Sequence, residues 1–170
     1  YWYKADRLIT TTLDDSTALG VSFINQGQVR AKGLELEAQL RLPRESRVLA
    51  SYAVQSAVDQ QTELELPNSP RHVAKARFSM PLLTPHSSVA VEAQYVSSRT
   101  TLAGTTASGA GTLNIHVVQP LSSSWAIVGG VRNIFDNEYL DPVSGQHRQD
   151  AIAQNGRTAR IGLRWKLWTP

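Results

Sequence analysis

Residues Arg157 to Trp168 read RTARIGLRWKLW: Ala159, Ile161, Leu163, Trp165 and Leu167 alternate with Thr158, Arg160, Gly162, Arg164 and Lys166. A strict period of two is the signature of a β-strand, because successive side chains point to opposite faces. A helix would scatter the same arginines round its whole surface. Arg160, Arg164 and Lys166 all fall on the polar face, which makes it strongly cationic. A soluble sandwich would turn the apolar face inward. A membrane barrel would turn it to lipid and the polar face to a watery lumen. Alternation in one strand does not choose between them.

The pattern recurs back along the chain. Leu34, Leu36, Ala38, Leu40 and Leu42 alternate with Gly33, Glu35, Glu37, Gln39 and Arg41, closing the extended stretch from Val21 to Leu42. Pro43 to Ser46 then form a tight turn, proline lacking the N–H that a central strand needs. Alternating faces follow at Val48–Val54, His72–Leu82, Val89–Tyr95, Leu113–Val117 and Trp125–Val131, with Tyr1–Thr11 as a further extended segment. About eight antiparallel strands result. Their connections run long and short in strict turn: loops at Thr10–Gly20, Val58–Pro70, Thr100–Gly111 and Asn137–Asn155, tight turns at residues 43–46, 84–87 and 120–123. All long loops therefore gather at one end. Outer-membrane barrels sort their connections this way, whereas Greek-key sandwiches have no reason to. Strands of roughly 11 residues, at about 3.3 Å each and tilted near 40°, also span about the apolar band of such a barrel.

Composition is compatible with either architecture. The 170 residues are 41% hydrophobic and 18% charged, with mean hydropathy −0.25. No apolar run is long enough for a membrane-spanning helix, a fact that says nothing against barrel strands. The net charge of +3 is spread singly along the chain, so no nucleic-acid partner is expected. Without cysteine there is no disulfide framework and no thiolate metal site. His72, His86, His116 and His147 lie on different segments without ligand spacing, and no metal or other cofactor is expected. Ser, His and Asp occur without a nucleophile elbow, so no catalytic residues are assigned. Asp136, Asn137, Glu138 and Asp141 lack the spacing of a calcium loop and read as a solvated one. The chain begins with Tyr1 rather than Met, and reads as a piece of something longer.

Three motifs resemble the C-terminal part of the β-barrel of TonB-dependent outer-membrane receptors. Asn25-x-Gly27 followed by Gly33-Leu-Glu35-Leu-Glu37 is similar to the family's N-x-G…G-x-E-x-E strand. Asn133-Ile-Phe135-Asp136 with Tyr139 is similar to its N-[LI]-F-D-x-x-Y element, and Gly156-Arg157 opens a terminal alternating strand. The family pattern ends on an aromatic residue, whereas Thr169 and Pro170 follow Trp168 here.

The resemblance implies an all-β, antiparallel, up-and-down segment of a 22-strand-type barrel, with residues 1–170 forming its C-terminal part and the plug domain absent. It implies a Gram-negative outer-membrane location among lipid. The partners are then the remaining barrel strands and, through the plug, TonB. The function implied is uptake of a scarce solute, most often a ferric siderophore, less often cobalamin or a carbohydrate. On this reading Glu35, Glu37, Arg41, Lys75, Arg77, Glu92, Arg132, Arg160, Arg164 and Lys166 face the lumen, satisfied by a mutual ion-pair network. Phe135 and Tyr139 sit at the outer interface, Trp165 and Trp168 at the inner one. Arg99, His147 and Arg148 in the long loops are the candidate contacts to an anionic chelate. The leucines of the apolar face point to lipid, and the first and last strands stay unpaired with each other. Two alternatives remain open at this point: a self-contained eight-strand structural or adhesive barrel, and a soluble β-sandwich binding module.

Overall fold

The computed structural model describes residues 1–13, 21–25, 27–82, 84, 86–144 and 147–167, with the backbone alone for residues 10–13 and 21–25. The expected loop markers Asp14, Asp15, Ser16 and Gly20, and the terminal Trp168, Thr169 and Pro170, lie outside the described residues.

In chain order the strands are β1 (Trp2–Asp6), β2 (Ile9–Leu13), β3 (Val21–Asn25), β4 (Gln28–Arg41), β5 (Arg47–Asp59), β6 (His72–Met80) and β7 (Ser88–Val96). They continue as β8 (Arg99–Thr100), β9 (Thr106–Ala107), β10 (Ala110–Pro120), β11 (Trp125–Arg132), β12 (Leu140–Pro142), β13 (Ala151–Ala153) and β14 (Thr158–Trp165). Eight of them form one antiparallel sheet in the order β1-β4-β5-β6-β7-β10-β11-β14, each pairing with its chain neighbour as an up-and-down meander. The pairs β2-β3, β8-β9 and β12-β13 stand apart as small two-stranded sheets.

Two expected loops are corrected here. The loop at Thr10–Gly20 begins with strand: Ile9 faces Asn25 in the register that pairs Trp2 with Lys32, so β2-β3 prolongs the β1-β4 hairpin. Thr100–Gly111 likewise holds β8-β9, with Arg99 opposite Ala107 in the register that pairs Val96 with Ala110. In β8-β9 threonine and alanine give no contrast between faces, and in β2 the threonine run at residues 10–12 hides the pairing with Ile24, Phe23 and Ser22, so both read as loop. The expected continuous stretch Val21–Leu42 is also interrupted, because Gly27 takes φ 113°, a conformation glycine adopts without penalty. The interruption separates the wall of the sheet from the arm beyond it.

The sheet is a single layer. Among the described residues the buried apolar side chains are only Val29, Ala31, Ala90 and Ala107. A sandwich needs two apolar faces packed on each other, and nothing here could be its core. Leu34, Leu36, Leu40, Phe78, Ile161 and Leu163 are instead 39–82% exposed. The edge strands β1 and β14 do not pair with each other, so the sheet does not close on itself. Neither the sandwich nor the self-contained barrel describes this arrangement. The fold is part of a larger barrel wall.

Candidate functional site

Register decides which side chains share a face, since residues directly opposite in an antiparallel pair point the same way. Leu40 faces Val48, Val48 faces Phe78, Phe78 faces Val91, Val91 faces Ile115, Ile115 faces Val131 and Val131 faces Ala159. That row crosses seven strands without a polar group. Gln39 and its neighbours begin the opposite face, where Glu37 faces Ser51, Ser51 faces Lys75 and Lys75 faces Gln94. Arg77 faces Glu92, and Gly130 faces both His116 and Arg160. The ladder thus brings Glu35, Glu37, Arg41, Lys75, Arg77, Glu92, Arg132, Arg160 and Arg164 onto this one polar face. Lys166 continues it just past β14, its N–H donating to the Ser124 carbonyl at 2.8 Å.

The expected ion-pair network within that set does not form among the described residues. The ion pairs there are Lys4–Asp6, Glu65–Arg71 and Arg99–Asp141, none joining two members of the set. Glu92 accepts from the Gln94 amide at 2.5 Å instead of meeting Arg77. Acidic members lie on β4 and β7, whereas β11 and β14 carry cations alone, so charge is segregated across the wall.

At the aromatic rim, Trp125 and Trp165 stack at 5.5 Å where β11 and β14 meet the short-turn end. Tyr52 and His72 stack on the apolar face, with the phenol oxygen 2.7 Å from the imidazole Nδ1. Tyr1 hydrogen-bonds Gln55 at 3.0 Å and lies across Gly33. A Cβ at Gly33 would stand 2.6 Å from the Val54 carbonyl and 2.7 Å from the Tyr1 hydroxyl, so this glycine admits the tyrosine ring.

The second and third motifs form one junction. Asn133 and Asp136 take positive φ, 48° and 57°, a region that Asn and Asp tolerate better than other side chains. Asn133 is 4% exposed and fully occupied: its main-chain N–H donates to Asn114 Oδ1 at 2.9 Å, and its side chain accepts from Asn137 N–H at 3.0 Å. Its amide donates to the Asn137 carbonyl at 2.9 Å. The Asp136 carboxylate accepts the Arg157 N–H at 2.5 Å. A Cβ on Gly156 would lie 2.6 Å from that carboxylate oxygen, which explains glycine next to arginine. The seven residues between β11 and β12 face only four between β13 and β14, and this junction absorbs the difference. Phe135, at its apex, is 69% exposed. Of the first motif, Asn25 pairs through its backbone with Ile9, ahead of the turn at Gly27.

Beyond the junction the long loops bind one another. Asp150 accepts from the hydroxyls of Thr101 and Thr105 and from Ala103 N–H at 3.2 Å. These bonds, Thr101 first and Thr105 next, hold the Asp150 carboxyl below its ordinary value of 3.8 against the opposing effect of desolvation. Arg99 donates to Asp141 at 2.6 Å and to Asn68 at 3.2 Å, and its side chain is 12% exposed. Three loops thereby join into one platform. His147 and Arg148, by contrast, are exposed on it. Asp150 and Asn68 carried no sign in the sequence, and Asp141 read as part of a solvated loop, because long-range partners in polar loops leave no periodic trace.

Below the platform two hollows open on the charged face. One, of about 320 Å³, includes Glu92, Asn114, Arg132, Tyr139 and Gln154. The other, of about 200 Å³, is lined by His116, Gly130, Arg132, Thr158, Ala159 and Arg160.

An antiparallel meander whose apolar face gives way to Lys4, Asp6, Arg30 and Lys32 toward the long-loop end, with an opposite charged face and connections sorted by length, defines a membrane β-barrel wall. Residues 1–134 match the family model of the TonB dependent receptor-like β-barrel, and the chain belongs to that family. The junction from Phe135 to Tyr139, and Gly156-Arg157, lie beyond the matched residues. No curated protein sequence matches the chain. Among solved structures it is similar to the ferric-catecholate import receptor Fiu from E. coli K12, at TM-score 0.73 and 18% identity over 96% of this chain and 24% of that one. It is similar also to the ferric yersiniabactin uptake receptor FyuA from Yersinia pestis, at TM-score 0.70 and 21% identity over 86% of this chain and 25% of that one. The copper transporter OprC gives TM-score 0.74 and 16% identity over 96% of this chain and 27% of that one. The chain thus spans about a quarter of the length of these relatives.

Proposed function

We propose that this chain is the C-terminal stretch of the barrel of a Gram-negative outer-membrane receptor that imports a scarce solute, a ferric siderophore being the leading cargo. Family membership carries the class. The cargo rests on weaker support, the iron-chelate relatives, since OprC shares the fold and is a copper transporter. The short-turn end faces the periplasm and the joined loops face outward. The apolar face meets lipid, and Glu35, Glu37, Arg41, Lys75, Arg77, Glu92, Arg132, Arg160, Arg164 and Lys166 face the lumen. Further strands cover the free edges of β1 and β14, because unpaired strand edges in lipid would leave N–H and C=O groups without partners. A plug domain elsewhere in the receptor fills the lumen and engages TonB. No bond-breaking step is assigned to any residue.

The single observation that carries this reading is the register, which sorts every charged residue of the set to one face and Leu34, Leu36, Leu40, Phe78, Ile161 and Leu163 to the other. The joined loops supply the outward platform, since binding residues concentrate on loops held by a rigid scaffold. On that platform Arg99 is a strut, and His147 and Arg148 are the residues presented to an anionic chelate. Deleting residues 137–155 from the full-length receptor, then measuring binding and uptake of ferric chelates, tests the assignment. A loss of chelate binding with the barrel still assembled is expected. Unchanged binding of ferric chelates would remove the loops from the site.

A further inference from the structure

The charged wall holds one feature that neither lipid nor the loops explain. Arg160, Gly130 and His116 lie in a row across β14, β11 and β10, and Arg132 stands two residues along from Gly130. Together with Thr158 and Ala159 they line a cavity of about 200 Å³. No carboxylate is among its lining residues. Among the described residues, the side chains of His116, Arg132 and Arg160 have no hydrogen bond or ion pair. The adjoining hollow shares His116, Arg132 and Thr158 with this one, and its carboxylate, Glu92, accepts from the Gln94 amide.

Glycine at residue 130 is what builds the hollow. A Cβ there would stand 2.7 Å from the Ile115 carbonyl and 3.0 Å from the His116 Nδ1. Any larger residue would crowd the Ile115 carbonyl and displace the imidazole. Two guanidiniums lining one hollow with no carboxylate in it repel each other, and the more so the less water reaches them. A planar guanidinium presents paired N–H donors that match the two oxygens of a carboxylate or phosphate. The cavity has room for one such group and no aromatic wall for anything larger.

We propose that His116, Arg132 and Arg160 form an oxyanion site on the lumen face, taking a carboxylate or phosphate group. The group comes either from a free anion in the lumen or from an acidic side chain elsewhere in the receptor. The proposal rests on this face being the lumen, so the test must separate the two claims.

The test uses the full-length receptor in lipid nanodiscs. A cysteine at Thr158 comes first. Reaction with a water-soluble thiol reagent upholds the lumen reading, whereas protection in lipid removes that reading and this site with it. Inorganic phosphate is then titrated by phosphorus NMR against wild type, R160K, R160Q and R132Q/R160Q. In parallel a photo-crosslinking residue replaces Thr158, and its products are mapped by mass spectrometry. If the group is free, phosphate binds wild type, and R132Q/R160Q lowers the affinity by about tenfold or more, from the loss of charge-assisted bonds. If the group is internal, phosphate does not bind, and the cross-link lands on a segment bearing Asp or Glu in wild type but not in R132Q/R160Q. R160K, which keeps the charge, carries the same comparison against R160Q should the double variant fail to assemble. The site is overturned if phosphate fails to bind and the cross-link either avoids any acidic segment or is unchanged by R132Q/R160Q.

Discussion

The wall and the platform are held together by different means. In the wall, main-chain ladders run from β1 to β14, and side chains bond one another sparingly. In the platform the ladders are short, two residues in β8 and three in β12, and side chains do the joining. Asp150 ties down Thr101 and Thr105, Arg99 holds Asp141 and Asn68, and Asp136 holds the entry to β14. The difference teaches what each region requires. A wall between lipid and water needs its faces kept apart, which register alone achieves. Loops in water have no such face to bury, and only specific bonds can fix their shape.

The comparison breaks most visibly if a charge is placed on the wrong face. Ile161→Arg, at mid-strand on the apolar face of β14, should destabilise the assembled barrel by about 2–4 kcal/mol in lipid. Arg160→Ile, one residue away, should change folding stability far less. Equal effects, measured by denaturant titration of the refolded receptor in vesicles, would mean that the two faces are not distinct.

The junction comes next. Gly156→Ala would drive a methyl into the Asp136 carboxylate and cost about 1–3 kcal/mol, the range for leaving a hydrogen-bonding group unpaired. Asp136→Asn should cost less, because a side-chain oxygen still accepts the Arg157 N–H. Thermal unfolding of the two variants checks that order.

These two regions were also unequally legible in the sequence. Alternation at Leu34–Leu42 and Arg157–Trp168 marked the wall, since an apolar face set against a charged one shows in a strand as a period of two. Asn133, Asp136 and Gly156 stood out as parts of the family motifs, although their mutual clasp did not. The arm β8-β9 and the end of β2 read as loops, for threonine and alanine carry little contrast between faces, whereas β3 fell within the extended stretch Val21–Leu42. Asp150 was invisible: its partners lie more than 40 residues away. The charged wall residues were found, yet their segregation into an acidic-and-basic part and a wholly cationic part needed the register.

A smaller effect sharpens the account of the platform. Asp150 has its carboxyl held below the ordinary value, so its contribution is present above about pH 3.8 and fades as pH falls through the lower, folded value. Asp150→Ala should remove that dependence, and the Ala103 and Thr105 amides should exchange faster at neutral pH. Hydrogen exchange that is alike in both proteins would show the clasp to be idle. Smallest of all is Arg71→Ala. Its pair with Glu65 is exposed, and the change should stay within about 1 kcal/mol.

The central claim is that register sorts lipid from lumen. It is tested most directly by spin labels placed one at a time from residue 158 to 165 of the full receptor in bilayers. Labels at Ala159, Ile161 and Leu163 should be relaxed by oxygen dissolved in lipid, and those at Arg160, Gly162 and Arg164 by a water-soluble nickel chelate. An accessibility profile without that alternation, or with the two reagents exchanged, would contradict the account.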